Sequence, residues 1–202
     1  MSSTKFNTQV IKLGGSSQTL IGYQTLKNNL DESFKNIIVV SAIKGITNNL
    51  INLIGKIRKD DKGKKRFLEE NIIKINSDLA RQLELDTSFL EEDFNSLRLM
   101  LNSSYLDLND EIKIVSIGET FTAKILNKYL SNNGHLTEYL DATEFIKCNQ
   151  KNLSLHNNGN FIVEEDIIFD SLINKNMIVV PGFRGLNSQN KICLMGRGGS
   201  DT

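Results

Sequence analysis

The spacing of apolar residues changes several times along the chain, and each change predicts a change of secondary structure. Short continuous apolar runs lie at 10–13 (VIKL), 37–41 (IIVVS) and 177–183 (MIVVPGF). Such runs are typical of strands that are buried in a parallel sheet. HLTEYLD at 135–141 predicts a weaker strand, and FIVEEDIIFDSLI at 161–173 predicts a strand followed by a helix.

Between these strands, apolar residues recur every three or four positions and predict amphipathic helices. The stripes lie at 20–30, 46–57, 68–83 and 90–101. Another helix is predicted from about residue 119 to 133, with Gly134 as its C-terminal stop. The helices at 68–83 and 90–101 predict an inserted helical hairpin, at about residues 60–106, that packs on the domain.

The alternation of strands and helices indicates an α/β fold with an open, largely parallel sheet and helices on both faces. NSQN at 187–190 predicts the tip of a β-hairpin. In an open α/β sheet, ligands bind beyond the carboxyl ends of the strands. The loops that follow the three strongest strands therefore hold the candidate chemistry: Gly14-Gly15, Ser41-Ala42 and 183–185.

Composition and charge exclude several classes of function. The 24 Lys and Arg residues balance 24 Asp and Glu residues, so the basic bias of a nucleic-acid-binding protein is missing. No apolar run approaches the roughly 20 residues that a membrane span needs, and the opening MSSTKFNTQ lacks the apolar core of a signal peptide. Cys148 and Cys193 show no metal-binding spacing. We therefore expect reduced thiols in a cytoplasmic protein, with no metal site, no nucleic-acid partner and no membrane partner.

Two loops near the N-terminus have both a functional and a structural interpretation. In KLGGSS at 12–17, exposed glycine N–H groups, two hydroxyls and Lys12 favour a phosphate cradle. A plain glycine turn beside a surface lysine explains the same residues. SAIKGITN at 41–48 has two interpretations, a ligand-binding loop or the start of a helix that Thr47 caps.

Two further segments complete the set. In SIGE at 116–119, Glu119 is either a functional acid or an acid that stabilises the N-terminus of a helix. GRGGSD at 196–201 favours a functional loop, because three glycines around an arginine are costly to order. Ser200, Asp201 and Thr202 are residues that begin a helix.

In this order, the four segments resemble the aspartokinase branch of the amino-acid kinase family. KLGGSS matches K-F-G-G-T-S, and VVSAIKGITN resembles V-V-S-A-M-x-G-V-T-N. SIGE is similar to S-x-G-E, and GFRG…LMGRGGSD resembles G-F-x-G…L-G-R-G-G-S-D. The last motif discriminates best, since other branches of the family carry different glycine loops there. The resemblance runs from Val10 to Thr202 and covers only the N-terminal, substrate-binding half of the family.

The resemblance implies phosphoryl transfer from ATP, with Mg²⁺, to the side-chain carboxylate of L-aspartate, which gives 4-phospho-L-aspartate for lysine, threonine and methionine biosynthesis. It implies that Lys12 neutralises the transferring phosphoryl group and that Asp201 holds Lys12 or the metal in place. The implied phosphate-binding residues are Lys12, Gly14, Gly15, Ser16 and Ser17. The implied aspartate-binding residues are Ser41, Ala42, Thr47, Glu119, Phe183, Arg197, Gly198, Gly199 and Ser200. Among them, Glu119 pairs with the ammonium of aspartate and Arg197 with its α-carboxylate.

The chemistry of this reaction asks for the same kinds of residues. A carboxylate with a reference pKa near 3.9 is ionised at neutral pH, so the reaction needs no general base. It needs two anions held together and their repulsion relieved. Arginine suits a bidentate carboxylate contact, and lysine suits a point contact on phosphate.

The sequence departs from the family at three positions and in its extent. Leu13 and Ser16 are conservative changes, whereas Thr143 stands where the family commonly has an arginine. The ATP-binding half and the regulatory ACT domains of the family have no counterpart in the 202 residues. We therefore expect a truncated or split aspartokinase lobe that does not bind ATP and that self-associates through exposed sheet. A non-catalytic amino-acid-binding module and a related acid kinase acting on glutamate remain open alternatives.

Overall fold

A computed structural model describes residues 7–103, 105–148, 161–173 and 175–195. In chain order the strands are β1 (Thr8–Leu13), β2 (Lys35–Val40), β3 (Thr137–Tyr139), β4 (Ile146–Cys148), β5 (Phe161–Val163), β6 (Met177–Pro181), β7 (Arg184–Asn187) and β8 (Ile192–Leu194). The α-helices are α1 (Leu20–Asn29), α2 (Ile46–Arg58), α3 (Lys64–Leu68), α4 (Lys74–Gln82), α5 (Glu91–Met100), α6 (Leu108–Asn132), α7 (Ala142–Phe145) and α8 (Glu165–Ile173). A π-helical turn, Glu69–Ile73, joins α3 to α4, and short 3₁₀ turns lie at Gly15–Ser17 and Ser88–Leu90.

The main sheet is parallel throughout the part of the chain that the structure describes. Its strand order is β1-β2-β6-β3. Every residue of β6 is buried, as expected for an apolar strand between two neighbours. The predicted α/β class with a largely parallel sheet is therefore confirmed.

Helices cover both faces of this sheet and form two cores. Because side chains alternate along a strand, Met177 and Val179 point to one face of β6 and Ile178 and Val180 to the other. The first pair joins the large core built with α2, α4, α5 and α6. The second pair joins a smaller core with α7 and α8.

The first strand is less buried than its apolar pattern predicts. Among the described strands, β1 pairs with β2 alone and therefore lies at an edge of the sheet. Val10 is 66% exposed, and Leu13 is the buried residue of the strand. The prediction that this strand is buried is wrong, because a short apolar run does not distinguish a central strand from an edge strand.

A second, mixed sheet was not predicted. Within the described ranges its order is β5-β4-β7-β8, with β4 and β7 parallel and the two outer pairs antiparallel. The turn between β7 and β8 confirms the hairpin predicted at 187–190. Strands of three or four residues are too short to show a clear period-two pattern, which explains why this sheet was missed.

The helix predicted to start at about residue 119 begins at Leu108. Asp107 caps it, because its carboxylate accepts a hydrogen bond from the Asp110 N–H at 2.8 Å. Gly118 and Glu119 therefore lie inside α6, and the prediction of an acid at a helix N-terminus is wrong. Gly134, with φ +89°, does follow the helix end as predicted.

The residues between α2 and α6 form a helical hairpin that packs on α6. Arg98 of α5 donates two hydrogen bonds, at 2.8 and 3.2 Å, to the carboxylate of Glu69 in the π-helical turn. The Phe94 ring packs against the tilted Phe121 ring of α6, with ring centroids 5.2 Å apart. The assignment of residues 60–106 as an insertion, and of 1–202 as one lobe, stays a prediction.

Candidate functional site

The loops after three parallel strands meet at the carboxyl edge of the main sheet. The Ser41 N–H, after β2, donates to the Leu13 carbonyl at the end of β1 at 3.0 Å. The Gly182 N–H, after β6, donates to the Val40 carbonyl at 2.9 Å. The candidate residues that follow these strands are therefore brought together, as the position of ligand sites in α/β sheets predicts.

Gly15 lies where the first two loops touch. Its carbonyl accepts a hydrogen bond from the Lys44 N–H at 3.0 Å. A Cβ at Gly15 would lie 2.7 Å from the Ala42 carbonyl oxygen, closer than real Cβ atoms approach. A glycine is therefore required for the two loops to close on each other. At Gly14, by contrast, a Cβ would meet nothing within 4 Å.

The rest of the first loop faces solvent. Ser16 and Ser17 are exposed within the 3₁₀ turn, and Lys12 is exposed on the edge strand β1. The Ser16 and Ser17 hydroxyls and the Lys12 side chain therefore lie at the surface of this edge. Whether they bind phosphate stays a prediction.

Two residues that the sequence argument missed hold the first loop against α6. Gln18 is 2% exposed, and its amide donates to the Leu13 carbonyl at 3.0 Å. The Tyr23 hydroxyl donates to the Gln18 amide oxygen at 2.7 Å and lies 3.3 Å from the Thr122 carbonyl. A buried polar group needs such partners, but a single glutamine in a loop gives no sequence signal for them.

Glu119 enters the site from α6, on the other side of the loop after β2. The side chain is buried, and it accepts a hydrogen bond from the Ala42 N–H. Burial raises the pKa of Glu119 to about 7, against the opposing effects of hydrogen bonds from its own N–H and from the Ala42 N–H and of the Arg184 charge. Its Oε2 atom has no hydrogen-bond partner in the described part of the chain. An unpaired buried carboxylate oxygen at the edge of the sheet suits a cationic ligand group.

The close contact between α6 and the loop depends on Gly118. A Cβ there would lie 2.9 Å from the Ala42 Cβ and 3.0 Å from Ile46 Cγ2. The glycine therefore lets Glu119 reach the Ala42 N–H. Thr122, one turn further on, donates to the Ser41 carbonyl at 3.0 Å and ties the same loop to α6.

Thr47 and Phe183 occupy special places around the site. The N-cap of α2 is Gly45, with φ +93°, so the prediction that Thr47 caps this helix is wrong. Thr47 lies in the first turn of α2 and is half-buried. Phe183 has a φ of +72°, which is unusual for a residue with a side chain. Its carbonyl accepts a hydrogen bond from the Met195 N–H at 2.8 Å, and its ring packs on the large core.

An ion cluster of the buried Arg184 and the half-buried Tyr139 and Asp141 lies beside these loops. Arg184 forms an ion pair with Asp141 and lies 3.4 Å from the Tyr139 hydroxyl, which donates to Asp141 at 2.9 Å. Burial alone would raise the pKa of Asp141, but the Arg184 charge and two hydrogen bonds from Thr143 hold that pKa below its usual value. The sequence argument included Arg184 in the candidate segment 183–185 but did not find this cluster, because its members belong to three separate elements: β3, the N-cap of α7 and β7.

The remaining sequence-predicted site residues, Arg197, Gly198, Gly199, Ser200 and Asp201, lie outside the described residues, and their roles stay predictions. β8 ends at Leu194. The hydrogen bond between Met195 and Phe183 holds the last described residue of the chain next to the other loops.

Three further observations concern the described ranges. Cys148 and Cys193 are buried and free of disulfides. No group of three or more His, Cys, Asp or Glu side chains is arranged there to hold a metal ion. None of the helices there is long and apolar enough to cross a membrane.

The sequence model of the amino acid kinase family matches residues 7–202. Because the match covers nearly all of the 202 residues, the chain belongs to the amino acid kinase family.

Within this family the chain is similar to aspartokinases. It is 24% identical over 201 residues to an aspartokinase of Chlamydia muridarum, with 95% of this chain and 43% of that protein aligned. It is 28% identical over 207 residues to the chloroplastic aspartokinase 2 of Arabidopsis thaliana, with 96% of this chain and 38% of that protein aligned. The chain thus spans about two fifths of the length of these relatives.

Solved structures show the same fold. Aspartokinase III of Escherichia coli, in complex with aspartate and ADP, superposes with a TM-score of 0.80 at 19% identity, over 96% of this chain and 45% of that one. The aspartate kinase of Clostridium acetobutylicum gives a TM-score of 0.74 at 22% identity, over 96% and 43% of the two chains. The α/β sandwich of the amino acid kinase family is therefore the fold of this chain.

Proposed function

We propose that the chain is the aspartate-binding lobe of an aspartate kinase, a phosphotransferase with a carboxyl group as acceptor. The observation that carries this proposal is the buried carboxylate of Glu119, with one oxygen held by the Ala42 N–H and Oε2 open in the described part of the chain. Such a group is suited to the ammonium of an amino acid. The similarity to aspartokinases supports L-aspartate as that amino acid.

The other roles follow from the same chemistry. Arg197 binds the α-carboxylate of aspartate, which distinguishes an amino acid from a simple amine. Lys12, exposed on β1, contacts the transferring phosphoryl group together with the loop from Gly14 to Ser17. Gly198, Gly199, Ser200 and Asp201 complete the junction between aspartate and phosphate. The side-chain carboxylate of aspartate is the nucleophile and is already ionised at neutral pH.

ATP, with Mg²⁺, is the second substrate in this proposal, and the chain alone does not bind it. The relatives are more than twice as long as the segment that aligns with this chain. We infer that residues equivalent to the remainder of those proteins supply the adenine and ribose contacts. The ADP in the complex of Escherichia coli aspartokinase III is consistent with a nucleotide site in such proteins.

The first test is calorimetric titration of the chain with L-aspartate at pH 8, where Glu119 is mostly ionised. We expect binding by the wild type, at least tenfold weaker binding by Glu119→Gln and unchanged binding by Glu92→Gln, an exposed control on α5. Succinate, which lacks the ammonium, should bind poorly to the wild type. Stronger binding of L-glutamate would favour a related acid kinase, and no binding of any amino acid would refute the proposal.

The second test is trapping of aspartyl phosphate with hydroxylamine, in the presence of ATP, Mg²⁺ and L-aspartate. The chain alone should give no product. Product that disappears in Arg197→Ala would show that the chain is a complete kinase and that the inference about ATP is wrong. Aspartate binding that no added chain turns into catalysis would favour a non-catalytic amino-acid-binding module.

A further inference from the structure

A ring of hydrogen bonds joins the loop after β1, the loop after β2 and helix α6. The Gln18 amide and the Ser41 N–H both donate to the Leu13 carbonyl, each at 3.0 Å. The Thr122 hydroxyl donates to the Ser41 carbonyl at 3.0 Å. The Tyr23 hydroxyl donates to Gln18 Oε1 at 2.7 Å and lies 3.3 Å from the Thr122 carbonyl, which closes the ring.

The two side chains at the centre of this hydrogen-bond ring, Gln18 and Tyr23, are fixed by their partners. A carbonyl only accepts hydrogen bonds, so the NH₂ group of the Gln18 amide faces Leu13 and its oxygen faces Tyr23. Both lone pairs of the Leu13 carbonyl are then used, one by Gln18 and the other by the Ser41 N–H. Gln18 and Tyr23 are buried, so the loss of one partner leaves the other unpaired and out of reach of water.

The backbone groups in the hydrogen-bond ring are direct neighbours of the candidate ligand groups. Leu13 follows Lys12 at the end of β1. Ser41 precedes Ala42, whose N–H donates to the Glu119 carboxylate. The hydrogen-bond ring enters α6 about one helical turn after Glu119. A displacement in this ring would therefore move groups of both candidate ligand loops together.

We propose that Gln18 is a positioning residue. Through the hydrogen-bond ring it holds the loop from Gly14 to Ser17 and the Ala42 N–H in the arrangement that binds ligand. Groups that are fixed before a ligand arrives lose less conformational entropy when it binds, so the affinity is higher. The inference rests on the proposed function for the identity of the ligand, L-aspartate, but the hydrogen-bond ring exists in the free chain.

Three variants test the role of Gln18. Gln18→Met removes both hydrogen bonds of the side chain and keeps a similar length. Tyr23→Phe removes only the hydroxyl that donates to Gln18. Ile72→Val is the matched control, because it removes a buried methyl group from the π-helical turn, outside the hydrogen-bond ring, and lowers stability by packing alone.

The first measurement is amide hydrogen exchange of the free chain, followed by NMR. The reporters are the N–H groups of Ser41 and Lys44, which hold the two loops together, and the amides of β6 report global unfolding. Relative to β6, exchange at both reporters should become about tenfold faster in Gln18→Met and about threefold faster in Tyr23→Phe, because two hydrogen bonds and one are lost. In Ile72→Val the relative exchange rates should stay the same.

The second measurement is calorimetric titration with L-aspartate, at a temperature where circular dichroism shows every variant to be folded. The affinity should fall about tenfold in Gln18→Met and about threefold in Tyr23→Phe, and Ile72→Val should stay within about twofold of the wild type. A side chain that only stabilised the fold would leave the affinity of the folded variants unchanged.

Unchanged relative exchange at Ser41 and Lys44 in Gln18→Met would overturn the inference, as would faster exchange without a loss of affinity. An affinity loss in Ile72→Val as large as that in Gln18→Met would also overturn it. Tyr23→Phe decides the matter if Gln18→Met does not fold. A wild-type chain that binds no amino acid would refute the proposed function, while hydrogen exchange would still decide whether Gln18 holds the loops.

Discussion

Gly118 and Gly55 both lie inside helices, yet the same substitution should change stability in opposite directions. In α2, a Cβ at Gly55 would meet nothing within 4 Å. Alanine has a helix propensity about 1 kcal/mol better than glycine. Gly55→Ala should therefore raise the free energy of unfolding by about 0.5–1 kcal/mol.

Gly118→Ala gains the same propensity in α6 but loses more through overpacking. The new methyl group would lie 2.9 Å from the Ala42 Cβ, 3.0 Å from Ile46 Cγ2 and 3.3 Å from Leu50 Cδ1. Overpacking of this kind costs about 1–3 kcal/mol. We expect a net loss of about 1 kcal/mol, together with weaker aspartate binding, because α6 moves Glu119 away from the Ala42 N–H.

The measurement is urea denaturation of both variants and the wild type, followed by circular dichroism. For a protein of this size, 1 kcal/mol corresponds to a change of about 2–4 °C in Tm, so thermal unfolding gives a second reading. If Gly118→Ala is as stable as Gly55→Ala, helix α6 does not need a glycine to pack on the loop. The argument that this close contact positions Glu119 would then be wrong.

Three other predictions concern the site. The pKa of Glu119 is raised from 4.5 to about 7 in the folded chain, so its contribution to the free energy of unfolding is fully present below pH 4.5. That contribution, about 3 kcal/mol, should be lost as the pH rises through 7. The difference in the free energy of unfolding between the wild type and Glu119→Gln, measured from pH 4 to 8, tests this. In chemical denaturation, Gly15→Ala should lower the free energy of unfolding by about 1–3 kcal/mol. Gly14→Ala, whose Cβ would meet nothing within 4 Å, should change it by less than about 1 kcal/mol. Equal losses in the two variants would refute the close packing of the two loops. Asp141→Asn should lower the free energy of unfolding by about 3–5 kcal/mol, because it leaves the buried Arg184 charge without its partner, and Arg184→Met should lower it less, since the Asp141 side chain is 25% exposed. The double variant should lose clearly less than the sum of the two; additive losses in a double-mutant cycle would show that the two side chains are not coupled.

The sequence correctly predicts those strands and helices whose apolar patterns extend over many positions. The apolar runs of β2 and β6 and the stripes of α2 and α5 each span enough positions to fix both their type and their buried face. The start of α6 was missed because Gly118 suggested a break. Inside helix α6, Gly118 instead allows Ala42 to come close to the helix. This role depends on the loop that packs against α6, which the sequence around Gly118 does not show.

The candidate site was predictable to the extent that it follows strand ends. Gly15, Ala42 and Phe183 are each the second residue after β1, β2 and β6, and parallel strands bring such positions together. Gln18 could not be found in this way, and Arg184, although it lies in the loop predicted at 183–185, gave no sequence signal that it would be buried in an ion pair. A buried polar side chain is defined by partners that are distant in sequence, such as Tyr139 and Asp141 for Arg184.

The site contains two kinds of groups: backbone groups that are hydrogen-bonded to each other and buried side-chain atoms that have no partner. Backbone hydrogen bonds from Ser41 to Leu13 and from Lys44 to Gly15 hold the loops to each other. Glu119 Oε2, next to these loops, is among the buried atoms of the described ranges that have no hydrogen-bond partner. A site that keeps buried charge unpaired loses stability in the free chain, as the raised pKa of Glu119 indicates. Binding of an ammonium group would recover that free energy, so the increase in the free energy of unfolding on adding the ligand should follow the ligand affinity in each variant.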